Sequence, residues 1–295
     1  MQAIENYTVT VANTLNQSIE LEGSNPTHFG LTGVEGISTS QYTQNITTNS
    51  TYFGGTLNST QILPRQMALE FDIIKNDTEQ ANRLYIEHFF NPLEDLDIIV
   101  SRLDTTRHII ARVNSFEIDQ AYVQAIQHVT VDLTAPQPFF MDMSDYGRDI
   151  ANAVGKFAPP YLMNATTGQI MGTLATNYLT EINNRGDVAV GLIARFVATD
   201  DVTNIKLFNA RSEDEYVRVV DSIANGDVIT ISMVDGNKSI KKTVGGTTTN
   251  ILHKLDRSSN FFKIQQGANV IGYDAETNKQ ALQVWIYYTP LYYGI

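Results

Sequence analysis

The chain has 295 residues, of which 42% are hydrophobic and 18% charged, with a net charge of −12 and 0 cysteines. This length allows one large domain or two ordinary ones. A chain of this length buries enough surface to fold without disulfide bonds or other covalent cross-links. The absence of cysteine excludes a disulfide scaffold, a thiolate zinc site and a cysteine nucleophile.

The acidic charge is concentrated in the first part of the chain. Residues 1–140 contain six basic and 16 acidic side chains, whereas residues 141–295 contain 14 and 16. Nucleic-acid binders normally present a basic face, so the composition argues against specific nucleic-acid binding. Residues 1–6 lack the basic start and apolar stretch of a signal peptide, and no apolar run is long enough to span a membrane. These features predict a protein made in a cytoplasm, with no membrane contact.

Short alternating segments predict a mainly β protein. Residues 7–11 and 18–22 alternate between apolar and polar side chains, which is the pattern of a half-buried antiparallel strand. Three further segments repeat this pattern. Their predicted inward-facing residues are Met67, Leu69, Phe71 and Ile73, then Ile109, Ala111 and Val113, then Val129, Val131 and Leu133. Gln66, Ala68, Glu70 and Asp72 are predicted on the opposite face of the first of these strands.

Residues 40–60 have an unusual composition, since small polar side chains dominate and the aromatic residues are Tyr42, Tyr52 and Phe53. Such a segment is too polar to pack on its own core. Two interpretations stay open at this stage: a disordered surface loop, or a β-arm ordered by a neighbouring molecule.

Residues 77–91 predict the one helix of the first domain. Asp77 can cap its start, with Gln80 three residues later as in a capping box, and Pro92 ends it. The helical spacing predicts an apolar face, which consists of Ala81, Leu84, Tyr85 and His88.

A boundary is predicted near residue 140, where Pro136 and Pro138 favour an extended exit. Residues 141–179 show no clear periodicity, although residues 150–156 could make a short helical turn. Strands resume near Ile182 and continue to residue 289, with a hairpin turn predicted at residues 235–237. Many short strands separated by polar turns are typical of a β-sandwich.

Residues that could carry catalysis are scarce. The sequence has no phosphate loop, no HExxH pair and no nucleophile elbow, and no two of its five histidines lie three or four residues apart. Asp200-Asp201 and residues 213–215 are acidic and adjoin turn signals, so they predict solvated loops. We therefore expect no catalytic residue, cofactor or metal. The aromatic residues of the last segment form either a packed strand or a sugar-stacking platform, and packing is favoured. They are Trp285, Tyr287, Tyr288, Tyr292 and Tyr293.

The order of several short segments resembles the distal tail (Dit) proteins of long-tailed, non-contractile bacteriophages. In the first half the matching segments are residues 65–73, 82–85, 89–92, 107–113 and 133–140. In the second half they are residues 182–187, 226–231, 255–264, 267–269 and 287–295. The strongest is LDRSSNFFKI at residues 255–264. Residues 141–179 match nothing in the family pattern.

This resemblance implies two β-sandwich domains. Residues 1–140 would form a ring-building domain with one α-helix and an extended hairpin, and residues 141–180 a linker. Residues 181–295 would form a galectin-like or carbohydrate-module-like sandwich that folds alone. We expect Phe261 and Phe262 to be neighbours on a strand of that second sandwich, where they would face opposite ways, so at least one of the two is buried. Replacing a buried one by alanine is expected to cost about 3–5 kcal/mol.

The implied function is structural and not enzymatic. Six copies would form a ring at the distal end of the virion tail, joining the tail tube protein to the tail-associated lysin or fibre protein. In some phages the ring also holds receptor-binding proteins. The protein would be synthesised in the bacterial host cytoplasm, and DNA would pass through the channel of the ring.

These implications give candidate residues for the hub. Tyr42, Ile46, Tyr52 and Phe53 are candidates for the oligomer interface because they are the apolar residues of the polar arm. Glu70 and Asp72 are candidates for an acidic channel wall that repels DNA. Five arginines are expected in ion pairs or subunit contacts and away from that wall: Arg65, Arg83, Arg102, Arg107 and Arg112. Two alternatives remain, a stand-alone carbohydrate-binding β-sandwich module and a glycoside hydrolase built on β-sandwiches.

Overall fold

The computed structural model describes residues 7–24, 26–48, 53–74, 79–119, 126–143, 146–155, 172–176 and 178–295. The chain divides into two compact units. Unit 1 comprises Met1–Met143 together with Leu291–Ile295, and unit 2 comprises Ser144–Pro290. Over the described ranges, no helix combines the length and the apolar character needed to cross a membrane.

Unit 1 is built from strands and one helix. Its elements in chain order are β1 (Tyr7–Ala12), β2 (Ser18–Glu22), β3 (Phe29–Glu35), β4 (Tyr42–Thr48), β5 (Gly55–Ile62), β6 (Arg65–Ile73), α1 (Glu79–Phe89), β7 (Leu96–Arg102), β8 (Thr105–Ile118), β9 (Gln127–Ala135) and β10 (Phe140–Asp142). Strand β22 (Leu291–Tyr292) completes it. Nine of these strands form one sheet in the order β22-β10-β8-β7-β1-β2-β3-β6-β9.

The long strand β8 closes this sheet on itself. Its first half pairs with β7, and its second half pairs with β9 at the other end of the strand order. A register shift between Val113 and Ser115 marks the change in direction that this double pairing requires. The first domain was expected to be a β-sandwich. Instead, nine of its described strands form one sheet, which closes because the 14-residue strand β8 pairs with both β7 and β9.

The predicted period of two is confirmed along the strands of unit 1. All ten inward-facing residues predicted on β6, β8 and β9 are buried. On the opposite face of β6, Gln66 is exposed and Ala68, Glu70 and Asp72 are half-buried. Apolar alternation therefore locates the core of this unit correctly.

The helix lies where it was predicted, but its predicted packing face was wrong. The expected apolar residues are all exposed: Ala81, Leu84, Tyr85 and His88. The buried residues are Ile86 and Phe89, followed by Phe90 just after the helix. Phe90 lies 6.1 Å from Phe71 and 5.5 Å from Phe116 between ring centroids. The helix thus packs through aromatic rings at its end, and its proposed cap Asp77 lies outside the described residues.

Unit 2 is a sandwich of two sheets. Its strands are β11 (Tyr146–Gly155), β12 (Gly172–Thr176), β13 (Leu179–Asn184), β14 (Ile193–Ala198), β15 (Val202–Asn209), β16 (Tyr216–Ile223), β17 (Val228–Ser232), β18 (Ser239–Val244), β19 (Thr247–Asn250), β20 (Gly267–Thr277) and β21 (Leu282–Tyr288). The larger sheet has the order β12-β11-β21-β14-β17-β18-β19, and the smaller has the order β13-β20-β15-β16. The predicted turn at residues 235–237 joins β17 to β18.

The division of the chain differs from the expected one in two places. The segment expected to be a linker contains β10, β11 and β12, and the suggested helical turn at residues 150–156 overlaps a strand. β11 pairs with both β12 and β21, so backbone hydrogen bonds on two sides outweigh its weak local pattern. In addition, residues 291–295 belong to unit 1, because β22 pairs with β10.

The aromatic residues of the last segment are packed into the two units. Val284, Ile286 and Tyr288 are buried on one face of β21, whereas Trp285 and Tyr287 are half-buried on the other. The Tyr288 hydroxyl donates a hydrogen bond to the carbonyl of Asn183 at 2.9 Å. Tyr292 is buried in unit 1. The packed-strand interpretation therefore accounts for Tyr288 and Tyr292 directly.

Phe261 and Phe262 lie in a segment without strand pairing, so the expectation that they alternate on a strand was wrong. The preceding turn is present, since Asp256 Oδ1 accepts a hydrogen bond from the amide of Ser258 at 2.9 Å. Phe262 is buried and Phe261 is half-buried. We expect Phe262→Ala to lower the free energy of unfolding by about 3–5 kcal/mol, and Phe261→Ala to lower it by clearly less. Urea denaturation of the two variants measures this difference, and equal costs would contradict it.

Candidate assembly surface

β4 and β5 form a two-stranded hairpin that shares no backbone pairing with the larger sheets. Their register runs from Tyr42 opposite Ile62 to Thr48 opposite Gly55, with an extra residue, Asn58, on the second strand. Every residue of the two strands is exposed except Ile62, which is half-buried. Of the two interpretations of residues 40–60, the two described strands favour the β-arm, and its ordering by a neighbouring molecule stays a prediction.

The hairpin has one apolar and one polar face, because residues directly opposite in an antiparallel pair point to the same side. One face carries Tyr42 opposite Ile62 and Ile46 opposite Leu57, with Gln44 opposite Thr60 between these two apolar pairs. The other face carries only small polar or amide side chains: Thr43, Gln61, Asn45, Ser59, Thr47 and Thr56. We call the first of these the hairpin apolar face, and define it as Tyr42, Ile46, Leu57 and Ile62.

The hairpin apolar face is open to solvent in the single chain. The exposed fractions are 63% for Tyr42, 52% for Ile46 and 53% for Leu57, and Phe53 near the tip is fully exposed. An isolated two-stranded hairpin is at best marginally stable in water. An apolar face on such a hairpin is therefore the kind of surface that a protein partner covers. The fourth candidate, Tyr52, lies outside the described residues.

The segment that contains the hairpin is also free of charge. Residues 36–64 include no Asp, Glu, Lys, Arg or His, although 18% of the whole chain is charged. Charged residues are depleted at the centre of protein interfaces because burying them is costly. In a unit with a strong acidic excess, an uncharged arm can contact a second copy without repulsion between like charges.

Arg65 fixes the two ends of the hairpin segment. It begins β6, is separated from β5 by Leu63 and Pro64, and is 1% exposed. Its Nη2 donates to Ser40 Oγ at 2.8 Å, its Nη1 donates to the carbonyl of Gly36, and its Nε donates to the carbonyl of Pro138 at 2.7 Å. One buried guanidinium therefore binds the segment before the hairpin and the strand after it.

The same arginine binds the last residues of unit 1. Arg65 Nη2 also donates to the carbonyl of Tyr293, and its guanidinium lies 4.9 Å from the ring centre of Phe140. Burial lowers the pKa of Arg65 to about 10, so the group remains charged at neutral pH. The guanidinium contacts carbonyl and hydroxyl oxygens and an aromatic ring.

Residues 291–295 are held by a second arginine. Arg107 Nη1 donates to the carbonyl of Gly294, and its guanidinium stacks 3.5 Å from the ring centre of Tyr292. The amide of Ile295 donates to the carbonyl of Ile37 at 3.2 Å. A Cβ atom at Gly294 would lie 1.6 Å from the carbonyl oxygen of Ser38, so only glycine fits there. This tail therefore packs against the segment that leads into the hairpin.

The two candidates for an acidic wall lie side by side on β6. Glu70 and Asp72 are half-buried on the face opposite the core. Asp72 Oδ1 lies 2.7 Å from His128 Nδ1 on β9, and the carboxylate of Glu70 lies close above Gly33 on β3. They form an acidic pair on the outer face of this sheet.

The other arginines expected to be paired also have partners within the chain. Arg83 Nε lies 3.1 Å from Glu87 Oε1, and Arg112 Nε lies 2.5 Å from Asp95 Oδ1. The Arg102 guanidinium lies 5.1 Å from the ring centre of Tyr7. The acidic excess of unit 1 is therefore not balanced by a basic patch formed from these side chains.

The acidic clusters noted in the sequence make local hydrogen bonds. Asp200 Oδ2 accepts from Asn278 Nδ2 at 3.2 Å, and Glu215 Oε2 accepts from Asn209 Nδ2 at 2.6 Å. Within the described ranges, no group of three or more His, Cys, Asp or Glu side chains has a geometry that could hold a metal ion.

Sequence analysis missed Leu57 and Ile62 of the hairpin apolar face. Both could have been found from the pairing of the two polar strands, since they lie opposite Ile46 and Tyr42. Arg65 and Arg107 were expected in ion pairs or subunit contacts, but both donate to backbone carbonyls of their own chain that are far away in the sequence.

Comparison with known proteins gives independent information on this fold. Residues 185–292 match the family model described as siphovirus-type tail component, C-terminal domain. Among solved structures, SPP1 Dit, described as a paradigm of the hub adsorption apparatus in phages that infect Gram-positive bacteria, has a TM-score of 0.69 at 13% identity. The match covers 96% of this chain and 98% of SPP1 Dit. The family model thus covers the second part of the chain, and the likeness to SPP1 Dit shows that the two proteins share a fold.

Two baseplate structures show the same likeness. A chain of the phage p2 baseplate in its activated conformation with Ca matches with a TM-score of 0.54 at 10% identity, over 96% of this chain and 98% of that chain. The corresponding structure with Sr gives 0.54 and 10%, over 96% and 97%. No curated protein sequence matches significantly. The mainly β fold expected from the sequence is thus confirmed, and the family model over residues 185–292 supports the expected resemblance to phage tail proteins.

Proposed function

We propose that this chain is a Dit protein and forms a hexameric ring at the distal end of a siphophage tail, with unit 1 building the ring. The observation that carries the proposal is the uncharged hairpin, whose apolar face is open in the single chain. A ring requires a heterologous interface, in which one surface of a subunit meets a different surface of the next and the rotation closes. A projecting arm is suited to this geometry because it extends beyond the core of its own subunit.

The closed sheet, Arg65 and Arg107 would give the hairpin a rigid base, which suits this role. Arg65 holds Gly36 and Ser40, and therefore fixes the segment from which the hairpin projects. A rigid base lowers the entropy lost when the arm contacts a neighbour. The hairpin would contribute the apolar centre of the contact, and polar side chains around it the solvated rim.

The acidic charge of unit 1 is proposed to serve DNA passage. Six copies of residues 1–140 bring a large negative charge around one axis, and like charge repels DNA phosphate over about 10 Å at 0.1 M salt. We assign Glu70 and Asp72 to the channel wall, where a solvated carboxylate pair would keep DNA from adhering. Arg65, Arg83, Arg107 and Arg112 are engaged with groups of their own subunit.

The partners follow from the place of a hub in a tail. One side of the ring would contact the tail tube protein, and the other the tail-associated lysin or fibre protein, with receptor-binding proteins as a further partner in some phages. In this proposal the protein performs assembly without catalysis, and it is synthesised in the bacterial cytoplasm before it joins the virion.

Native mass spectrometry of the purified chain tests the ring. We expect a species of about six times the 32.8 kDa chain mass, or twelve times that mass if two rings stack. A protein that stays monomeric at all accessible concentrations would contradict the proposal.

The assembled ring should also fail to retain duplex DNA at physiological salt in a gel-shift assay, and tight binding would refute the acidic channel.

A further inference from the structure

The larger sheet of unit 2 ends in β19, whose outward side pairs with no other described strand. On its inward side, the ladder with β18 continues beyond the strand, where the amide of Ile251 donates to the carbonyl of Ile240 at 2.8 Å. Hydrogen-bonded pairs alternate along an antiparallel ladder, so the backbone N–H and C=O groups of Thr248 and Asn250 point away from β18. We call this row of outward backbone groups the β19 edge.

The β19 edge lacks the features that usually prevent the addition of a further strand. Sheet edges are commonly protected by charged side chains, by proline or by a bulge. Residues 243–251 contain no charged residue and no proline, and the register between β18 and β19 has no shift. β19 itself has the sequence TTTN, and threonine favours extended backbone. The edge is therefore a template on which another strand can form.

Unit 2 covers the edge of another outer strand, β16, with its own chain. The amide of Asp256 donates to the carbonyl of Arg218 at 2.9 Å. The amide of Asn260 donates to the carbonyl of Tyr216 at 2.8 Å. Residues 255–260 thus occupy the edge of β16, whereas no segment in the described ranges lies in the corresponding position beside β19.

The chain around the β19 edge is basic, although the protein as a whole is acidic. Residues 236–255 contain four lysines, one histidine and no Asp or Glu. Two of these lysines are neutralised within unit 2, because Lys242 Nζ lies 3.6 Å and Lys254 Nζ 2.7 Å from carboxylate oxygens of Asp221. The charge available to a partner is therefore that of the other lysines.

Lys241 is the lysine best placed to meet a partner at this edge. It lies on β18 opposite Asn250, and its side chain is exposed. None of the ion pairs found in the described part of the chain includes it. Neighbouring strands lie about 4.8 Å apart, so a residue added beside Asn250 would have its Cα about 10 Å from that of Lys241. Two long side chains span this separation, so a carboxylate on this face of an added strand can pair with Lys241.

The opposite face of the same two strands is apolar. Ile240 and Ile251 are both buried on it, and Val244 lies on it opposite Thr247 with its side chain exposed. An added strand would continue this face with every second side chain. The two faces together therefore specify a strand in which acidic residues alternate with β-branched apolar ones.

We propose that the β19 edge binds a strand of a partner protein with this alternating acidic and apolar pattern. Backbone hydrogen bonds to Thr248 and Asn250 hold the strand, and Lys241 selects its acidic face. A second copy of this chain is the competing occupant. Antiparallel pairing of β19 with itself would bring the Lys241 side chains of both copies to the same face, where like charges repel.

This proposal goes beyond the ring and does not depend on it. The β19 edge belongs to unit 2 and includes no residue of the hairpin or of residues 291–295. Binding of a peptide at this edge is measured separately from assembly. A failed binding test therefore leaves the ring proposal intact, and a chain that stays monomeric can still bind the peptide.

Fluorescence anisotropy of a labelled octapeptide of alternating Glu and Val, titrated with the full-length chain, tests the edge. We expect saturable binding, and binding about tenfold or more weaker for an octapeptide of alternating Lys and Val, which Lys241 repels. Thr248→Pro should weaken binding of the Glu-Val peptide about tenfold or more, because proline removes an outward N–H and its ring blocks the edge.

Thr248→Ala is the matched control, because it removes the same side chain and keeps the N–H. Its binding should stay within about twofold of that of the native chain. The N–H of Thr248 points away from β18, and proline is tolerated on edge strands, so neither variant should change the melting temperature. Lys241→Glu should weaken binding of the Glu-Val peptide and strengthen binding of the Lys-Val peptide.

Four outcomes would overturn the proposal. The Glu-Val peptide does not bind, or its binding survives Thr248→Pro, or the two peptides bind equally tightly. The fourth is self-association of the chain that Thr248→Pro abolishes, which would assign the edge to a second copy.

Discussion

Replacing Ile46 and Leu57 together by serine is expected to convert the ring into folded monomers. The two side chains lie opposite each other at the centre of the hairpin apolar face. Burying each against a neighbour contributes about 1.5–3 kcal/mol, so their loss weakens each subunit contact by roughly two to four orders of magnitude. Because both residues are more than half exposed in the single chain, the melting temperature of the monomer should not change. Native mass spectrometry and a thermal melt measure the two effects.

The matched control uses the polar face of the same hairpin. Thr43 and Gln61 are also directly opposite and exposed, so Thr43→Ala with Gln61→Ala alters the same strands without touching the apolar face. This double variant should still form the ring. If the serine variant assembles normally, the hairpin apolar face is not part of the interface. If only the control dissociates, the opposite face is the one in contact.

Arg65→Met is expected to give the largest loss of stability among single substitutions in unit 1. The change leaves the carbonyls of Gly36, Pro138 and Tyr293 without their guanidinium donor at a site that is 1% exposed. Each buried carbonyl left without its donor costs about 1–3 kcal/mol, and three carbonyls lose theirs here. Urea unfolding of the full chain, monitored by a signal from unit 1, should show this cost.

Two further substitutions distinguish the stability that the hydrogen bonds of the Arg65 guanidinium contribute from the stability that its charge contributes. Arg65→Lys keeps the positive charge but cannot reach all the carbonyls, so it should fall between the native protein and the methionine variant. Arg102→Met removes an exposed arginine that stacks on Tyr7, and it should cost less than about 1 kcal/mol. A methionine variant at position 65 with native stability would show that the network contributes nothing to folding.

Local patterns determined what could be predicted from the sequence. The alternation at Met67, Leu69, Phe71 and Ile73 identified a strand and its buried face, because burial on one side of a strand needs only a period of two. The polar arm was also recognisable from composition. Its apolar face became visible only once the pairing of Ile46 with Leu57 was known.

Distant contacts determined what could not be predicted. The helix was assigned the face of Leu84 and Tyr85, but the rings around Phe89 and Phe90 decide which side packs, and those rings come from several strands. Closure of the sheet through β8 depends on two partners far apart in sequence. The same holds for β11, which is a strand because it lies between two others.

The pairing of β10 with β22 has a consequence for synthesis on the ribosome. Residues 140–142 emerge well before residues 291–292, and the whole of unit 2 is translated between them. Domains usually fold in the order in which they leave the ribosome. Here the first domain cannot complete its sheet, or satisfy Arg65 and Arg107, until the second has been made. A nascent chain interrupted inside unit 2 would therefore lack a finished unit 1, which would keep truncated products out of the proposed ring.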